Sequence, residues 1–536
     1  MADPTRIVIL GGGFGGAYTA MYLEQRLGHR GDVEIALVSR ENYLVFQPLI
    51  PELISGSLGI VDTIAPLRRL CPKTRLYTRE IQTINVERRI VTLAPGFRPR
   101  PLDLPFDHLV VALGNVTGAA GMPGVQQHAL PFKSLGDALH LRNHTLHVLE
   151  EAAIEPDPDV RKTLTTFVVA GGGFSGVEIA GELNDFVRQV VKDYRGVDPS
   201  MLRVVLLHSR DLILPELSPK LGRFAQEVLA RRGVEIRYKT RLAGATSAAA
   251  VLSTGERIPT RTIVTTVPSA PNPLVASLPV PHDKDRLKVD AELRVEGHDR
   301  LWAVGDCAAA RSGGTGDPVP TTAQHAIREA KCIADNIAAA IDGRPPRMFR
   351  FESLGSLASL GRRSAVANVF GIQLSGLLAW WLWRTVYLLK MPGLDRKLRV
   401  VTDWTLDLLL EQDIVQLKID RTAAIVQEHF EKGEVIVQQG DFGDKLYMIE
   451  SGEVEVIKER PNAPPERLAV LGPKMYFGET ALLTDAPRNA TIRTLTPVDA
   501  IVLGRGDFLA LVSSFPELKK IFEGLLQSRR HEEEPM

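Results

Sequence analysis

The sequence carries the same short pattern twice. Gly11-Gly12-Gly13-Phe14-Gly15-Gly16 follows the apolar run Arg6-Ile7-Val8-Ile9-Leu10, and Gly171-Gly172-Gly173-Phe174-Ser175-Gly176 follows Thr166-Phe167-Val168-Val169-Ala170. Each run is short and β-branched, without polar alternation, as in a parallel strand buried on both faces. Each glycine loop then opens a helical stretch, residues 17–27 and residues 177–192. Glycines at the first, third and sixth places let the backbone turn tightly, let a pyrophosphate come close, and bring helix onto strand. The helix start adds free N–H groups and a positive dipole end. One such loop fits any βαβ turn. Two of them predict an α/β chain with two Rossmann-like dinucleotide-binding domains. The candidate contacts are Gly11, Gly13 and Gly16 in the first loop and Gly171, Gly173 and Gly176 in the second.

The strand that follows each loop usually ends in an acid that holds the adenosine ribose. Here the first ends in Ser39-Arg40-Glu41. Ser39 can bond a hydroxyl, Glu41 can reach it, and Arg40 is a further candidate. The second ends in His208-Ser209-Arg210, with no acid before Asp211. An acid repels a 2′-phosphate, whereas His208 and Arg210 tolerate one, so charge leaves NADH and NADPH both open. Alternatively a neutral His208 caps the strand beside the adenine, which we prefer. Two later strands end in Gly114 and in Gly305-Asp306.

Composition removes several classes. At 536 residues the chain needs two to four domains. Its formal net charge of +0 gives no reason to expect nucleic acid as a partner. Cys71, Cys307 and Cys332 form no C-x-x-C, so neither a redox dithiol, a metal site nor a disulfide framework is expected. Such usage fits a reducing compartment. The first residues show no secretory signal pattern.

Two glycine loops with a late Gly305-Asp306 resemble the two-dinucleotide-domain flavoproteins. The resemblance implies non-covalent FAD at the first loop, NAD(P)H at the second, and Asp306 on the ribityl chain of the flavin. Three further stretches narrow it: Glu41-Asn42-Tyr43-Leu44-Val45-Phe46-Gln47-Pro48-Leu49, Pro320-Thr321-Thr322-Ala323-Gln324-His325-Ala326-Ile327-Arg328, and residues 353–410. Over about residues 6–415 the chain resembles the type II NADH:quinone oxidoreductases, the single-subunit alternative NADH dehydrogenases of respiratory chains. This implies electron transfer from NADH to quinone without proton pumping, with Gln47 and Gly114 beside the flavin. Ala323, Gln324 and Ala326 match the family's Ala-Gln-x-Ala-x-Gln motif, where flavin and quinone meet, but Arg328 replaces its second glutamine. Gln324 and Arg328 are thus the quinone candidates, and Gln324 and Glu178 the catalytic ones. Glu178 is placed at the nicotinamide–flavin interface, or else it is a first-turn acid that satisfies the helix dipole. A second departure is Thr265-Thr266-Val267-Pro268, where many members carry Trp-Thr-Ala-Gly.

Residues 365–389 are the most apolar tract, interrupted by Asn368, Gln373, Ser375 and Arg384. Between residues 362 and 399 stand seven cations (Arg362, Arg363, Arg384, Lys390, Arg396, Lys397, Arg399) against Asp395, a net +6. Aromatic rings favour headgroup depth, and each cation near an anionic leaflet contributes about 1 kcal/mol. We therefore expect an amphipathic, monotopic membrane-surface helical segment on the cytoplasmic face of the cell membrane. Trp380, Trp381, Trp383, Arg384, Lys390, Arg396 and Lys397 are its expected contacts with anionic lipid. A core helix hairpin is the alternative.

From about residue 426 the chain becomes short strands punctuated by glycine, the pattern of a β-roll or jelly roll. Phe477-Gly478-Glu479-Thr480-Ala481-Leu482-Leu483-Thr484-Asp485-Ala486-Pro487-Arg488-Asn489-Ala490-Thr491 resembles the phosphate-binding cassette of the cyclic nucleotide-binding domain. Arg488 suits the phosphate and Glu479 the ribose 2′-hydroxyl. Gly478, Ala481 and Asn489 complete the candidate site. Helix-start N–H groups near Glu479 add anion-binding capacity. Asn489 leaves cAMP and cGMP both open, and we lean to cAMP as effector.

The expected domains are FAD-binding at residues 1–160 and 285–350, NAD(P)H-binding at 161–284, and the membrane-surface segment at 351–415. A linker at 416–422 and the cyclic nucleotide domain at 423–536 follow. A homodimer is open. The rival readings are a nucleotide sensor on a degenerate reductase scaffold, and a soluble NAD(P)H diaphorase or ferredoxin-type reductase.

Overall fold

The computed structural model describes residues 3–96, 100–118, 122–266, 269–313, 316–351, 355–417, 425–441, 443, 445–460, 463–484, 487–506 and 508. The chain divides into two compact units: Met1–Val91 with Leu104–Leu417, and Thr92–Asp103 with Lys418–Met536. In chain order, the helices that position the site in the first unit are α1 (Phe14–Leu27), α2 (Glu52–Ser55), α3 (Phe174–Val190), α4 (Ala323–Ile341), α5 (Leu377–Lys390) and α6 (Leu394–Leu409).

Two five-stranded parallel sheets organise this unit. The first runs Leu301–Ala303, His108–Val111, Thr5–Leu10, Val33–Ser39, Arg75–Thr78. The second runs Leu130–Pro131, Thr262–Thr265, Thr166–Ala170, Arg203–Leu207, Val234–Arg237. In each, the strand before a glycine loop has neighbours on both sides, so strand order reverses there. The crevice at such a switch point is where a dinucleotide binds. The apolar runs are fully buried, as their lack of alternation predicts: Ile7, Ile9, Leu10, Phe167, Val168 and Val169 have no exposed surface. Burial of each large side chain contributes roughly 1.5–3 kcal/mol. Val267 and Pro268 lie outside the described residues, as do residues 418–422 of the expected linker.

Residues 351–415 correct an expectation. Their first part is not helical. Gly355–Ser359, Ala365–Val369 and Ile372–Gly376 form a three-stranded antiparallel meander, followed by α5 and α6. Phe370 and Gly371 both adopt positive φ (50° and 81°) and connect Val369 to Ile372 as a two-residue hairpin turn, whose twist matches the strands it joins.

The second unit holds two four-stranded antiparallel sheets. One orders Ile425–Phe430, Val498–Gly504, Lys445–Ser451, Tyr476–Phe477, and the other Val435–Val437, Thr491–Thr494, Val454–Lys458, Glu466–Leu471. Ile449, Val454, Ile492, Val498, Ala500 and Val502 fill its core, with the Tyr447 and Phe477 rings stacked at 4.9 Å. This is the expected β-rich domain.

Candidate functional site

The two glycine loops have one construction. A Cβ added at Gly16 would overlap the Gly11 carbonyl oxygen, and one at Gly176 would overlap that of Gly171. These glycines therefore let helix and strand close on each other. Gly11 and Gly171 themselves have φ of 109° and 124°, a region that favours glycine. The third glycine differs. A Cβ at Gly13 would meet nothing within 4 Å, and one at Gly173 only a Glu216 oxygen at 3.7 Å. Each loop thus has an open face at the start of α1 or α3, which fits a pyrophosphate. The middle glycines are backed by the end of the next strand. Ser39 Oγ lies against Gly12, and the His208 ring against Gly172. His208 is buried, and its Nε2 donates to the Leu212 carbonyl at 2.7 Å. Burial first, against that bond, lowers its pKa and keeps the ring neutral. His208 therefore supports the loop from behind rather than reaching outward. Ser209, like Arg40 and Gln47 around the first loop, is exposed.

Gly305 (φ 75°) turns the chain after Leu301–Ala303, and its N–H donates to the buried Glu329 carboxylate at 2.6 Å. Asp306 stands beside it, half-buried, its pKa raised by burial against the opposing charge of Lys133. Gly114 (φ 59°) leaves open space at its Cβ position. Glu329 was missed in the sequence. It gives no motif, only a helical spacing on α4.

Gln324 and Glu178 are tied to one strand. Gln324 Nε2 donates to the Gly355 carbonyl at 3.3 Å, and the Ser359 N–H donates to Glu178 Oε1 at 3.1 Å. These are the two ends of Gly355–Ser359, about 13 Å apart at strand rise. The strand end reaches α3 because Gly181 has no side chain; a Cβ there would come 2.7 Å from the Leu360 backbone. Burial, against the Ser359 N–H, pushes the Glu178 carboxyl up to about 8. Arg328, one turn after Gln324, places its guanidinium 4.8 Å from the Phe351 ring centre.

The expected membrane contacts divide. Trp383 is 1% exposed, and Trp380 and Arg384 are buried with it. Arg384 lies between the Trp380 and Trp404 rings, 4.0 and 4.6 Å from their centres. These three are core groups rather than exposed ones: Trp380 and Trp383 pack in one buried cluster with Trp404, and Arg384 sits on its rings. Arg396 is likewise drawn inward, its side chain 14% exposed beside Asp62 and Asp395. Lys397 is half-buried and donates to the Leu389 carbonyl at 2.9 Å. Trp381 is 55% exposed, and Lys390 is exposed. In the same tract Phe370, Leu378, Leu389, Leu394 and Leu409 also expose most of their apolar surface. Among the described residues no helix is long and apolar enough to cross a membrane.

In the second unit the cassette residues converge. Arg488 is buried and donates to the carbonyls of Gly478 and Lys445 at 2.8 and 2.7 Å. Glu479 and Ala481 are buried beside it, and a Cβ at Gly443 would collide with Ala481 and Arg488. Asn489 is exposed, its carbonyl accepting from Lys458.

Comparison with known proteins fits this geometry. The pyridine nucleotide-disulphide oxidoreductase family matches residues 5–330, and the NDH2 C-terminal domain residues 354–413. A type II NADH:quinone oxidoreductase, Ndh of Mycobacterium tuberculosis, is 30% identical over 75% of this chain and 88% of its own. The chain belongs to the type II NADH:quinone oxidoreductase family. Demethylphylloquinone reductase NdbB of Synechocystis is 33% identical over 74% of this chain and 95% of its own. NDH2 from Plasmodium falciparum, solved in complex with NADH, shares the fold with a TM-score of 0.70 at 18% identity, over 77% of this chain and all of that one. The family plan ends before the β-rich unit, where the cyclic nucleotide-binding domain matches residues 427–515.

Proposed function

We propose that this oxidoreductase carries two electrons from NADH to a quinone at a membrane surface, with FAD held at the first glycine loop and NADH at the second. The observation that carries the reading is the pair of open-faced glycine loops, each at the switch point of its own parallel sheet. Bound FAD supplies the acceptance of a hydride and the release of two electrons. The chain supplies position and charge. Gly13 and Gly173 admit the phosphates, and Ser39 and His208 back the two loops. Asp306 holds a ribityl hydroxyl, and Gln324 and Arg328 face the quinone. Glu178, protonated near neutrality, orients the nicotinamide side and exchanges a proton there. NADH is the favoured donor, because His208 is turned inward and offers no charge to a 2′-phosphate. The thiols of Cys71 and Cys307 are pushed up to about 12 and 11 by burial. They are poor redox nucleophiles, which favours a mobile acceptor.

The exposed apolar side chains between Phe370 and Leu409, with Trp381 and Lys390, are the groups that meet lipid. Docking is peripheral, on the cytoplasmic face. The domain limits given above are retained as assignments, with residues 355–376 as strands. The cyclic nucleotide domain binds a nucleotide through Arg488 and Glu479, cAMP by preference, and modulates turnover. An effector shifts an equilibrium only by its differential affinity for two states. Steady-state NADH oxidation with a quinone on anionic liposomes tests the reading. Turnover is expected with NADH, and a change in rate with cAMP that Arg488→Ala removes. Absence of quinone-dependent turnover contradicts the catalytic part. Identical rates with bound nucleotide contradict the regulatory part.

A further inference from the structure

One surface groove carries charge that the redox chemistry leaves unused. About 460 Å³ in volume, it is lined by Asp185, Arg188 and Gln189 of α3, by Lys192 just after that helix, and by Arg232 and Arg362. The C-terminal ends of helices attract cations. That accounts for Arg188 in the last turn of α3 and for Arg232 at the end of helix Pro219–Arg231. Arg362 belongs to neither helix. It comes from the turn between strands Gly355–Ser359 and Ala365–Val369.

The cations are fixed in place but little neutralised. Arg188 donates to Asn184 Oδ1 at 2.9 Å and to the Gly233 carbonyl at 3.2 Å. Arg362 donates to Gln189 Oε1 at 2.9 Å and to the Asp407 carbonyl. Its Nε has no hydrogen-bond partner among the described residues. Of the four cations Arg232 alone makes a close ion pair, with Asp185 at 2.8 Å. The Asp407 carboxylate stands 3.5 Å from Arg362. Lys192 is exposed and pairs with no carboxylate among the described residues. Four cations thus face two acids, a net +2. A second cationic pocket, at the C-terminal ends of α1 and α4, differs. There Arg26 pairs with Asp335, and Arg30 and Arg344 pair with Asp342 at 2.6 and 2.8 Å. Its charge is neutralised within the fold. Carbonyl and amide acceptors orient a guanidinium and leave its charge for a ligand.

We propose that the groove of Arg188, Lys192 and Arg362 binds the phosphate of an anionic phospholipid. The proposal deepens the peripheral-docking reading and rests on it. An arginine presents five N–H donors in a planar fork that fits two phosphate oxygens, and a lysine adds a compact charge. A water takes up about 30 Å³ of liquid, so the groove has room for a phosphate and its glycerol. The surface beside the groove points to a lipid rather than a soluble phosphate. The Asp407 carbonyl that accepts from Arg362 belongs to α6, where Leu406, Leu408 and Leu409 are 46%, 39% and 77% exposed. A phosphate at Arg362 therefore has apolar surface next to it for acyl chains. Arg363, the next residue, is exposed and adds charge at the same turn.

Native mass spectrometry of the detergent-solubilised protein with added phosphatidylglycerol tests the site. A retained lipid is expected on the wild type, with affinity about tenfold or more weaker in Lys192→Glu. Lys192→Arg should retain it. Arg344→Glu, the same change of charge in the other pocket, should stay within about twofold of wild type. NADH oxidation in detergent with a water-soluble quinone should be unchanged in Lys192→Glu, since Lys192 lies outside the redox site. Arg188→Gln is a second variant should Lys192→Glu lose that activity. Glycerol 3-phosphate, which lacks acyl chains, should not displace the lipid at equal concentration. Equal lipid retention by the wild type and the active groove variant overturns the site, as does a wild type that retains none. Displacement by glycerol 3-phosphate overturns the lipid as its ligand. Failure of the docking reading looks different: the wild type then does not float with phosphatidylglycerol vesicles, while its retained lipid is still lost in Lys192→Glu.

Discussion

The two glycine loops share a backbone but not the chemistry of the helices they open. Tyr18 and Tyr22 occupy on α1 the places that Glu178 and Glu182 occupy on α3. Burial pushes the Tyr18 hydroxyl up to about 12 and both glutamates up to about 8. Near pH 7 the tyrosine keeps its proton, while the glutamates sit close to their titration range. In the proposed function the first loop anchors its dinucleotide, and the second binds beside groups that exchange protons.

The comparison breaks most completely at the sixth glycine. Gly16→Val should give colourless protein, and Gly176→Val yellow protein that NADH no longer bleaches. Visible spectra before and after anaerobic NADH distinguish them. The same colour and the same bleaching in both would dissolve the division of labour. Next in size is the charge behind α3. Arg384→Ala leaves buried carboxylates uncompensated and should cost about 3–5 kcal/mol in urea unfolding. Arg26→Ala on α1, whose partner Asp335 is partly solvated, should cost about 1 kcal/mol or less. Equal costs would remove the contrast.

Glu178→Gln should lower quinone turnover about a hundredfold, with Tyr18→Phe within about twofold of wild type on the same scale. Unchanged flavin reduction and quinone turnover in Glu178→Gln removes it from the mechanism. The smallest effect is on stability with pH. The folded state raises the Glu178 and Glu182 carboxyls from 4.5 to about 8. Between these values it holds protons that the unfolded chain has released. Their contribution to stability therefore falls as pH rises from about 4.5 to about 8 and is level outside that window. Glu182→Gln should flatten that slope in thermal melts. Tyr18→Phe should leave it alone.

Both loops, their strands and the β-rich unit were legible in the sequence, because each is a local pattern: a strand without alternation, glycines at fixed places, turns between alternating strands. Glu178 and Gln324 stood out in the sequence as candidates, but their attachment to one strand did not. That strand lies in a tract whose tryptophans and basic flanks read as helix at a membrane. Phe370-Gly371 between two short runs was the signal for a hairpin, and apolar content outweighed it. Trp380, Trp383 and Arg384 were misread for another reason. A tryptophan beside an arginine looks alike at a lipid interface and in a core, and only the fold brings Glu52 and Trp404 to them. Glu182 was in view within the second loop's helix, at the i+4 spacing from Glu178. The groove of Arg188, Lys192 and Arg362 was invisible, since Arg362 lies more than a hundred residues from the other two.

The most direct measurement is anaerobic stopped-flow reduction of the flavin-loaded protein, first with NADH, then with a quinone. The account predicts bleaching by NADH, slower bleaching by NADPH, and full return of the oxidised spectrum when quinone is added. A flavin that NADH leaves oxidised, or that stays reduced in the presence of quinone, contradicts it.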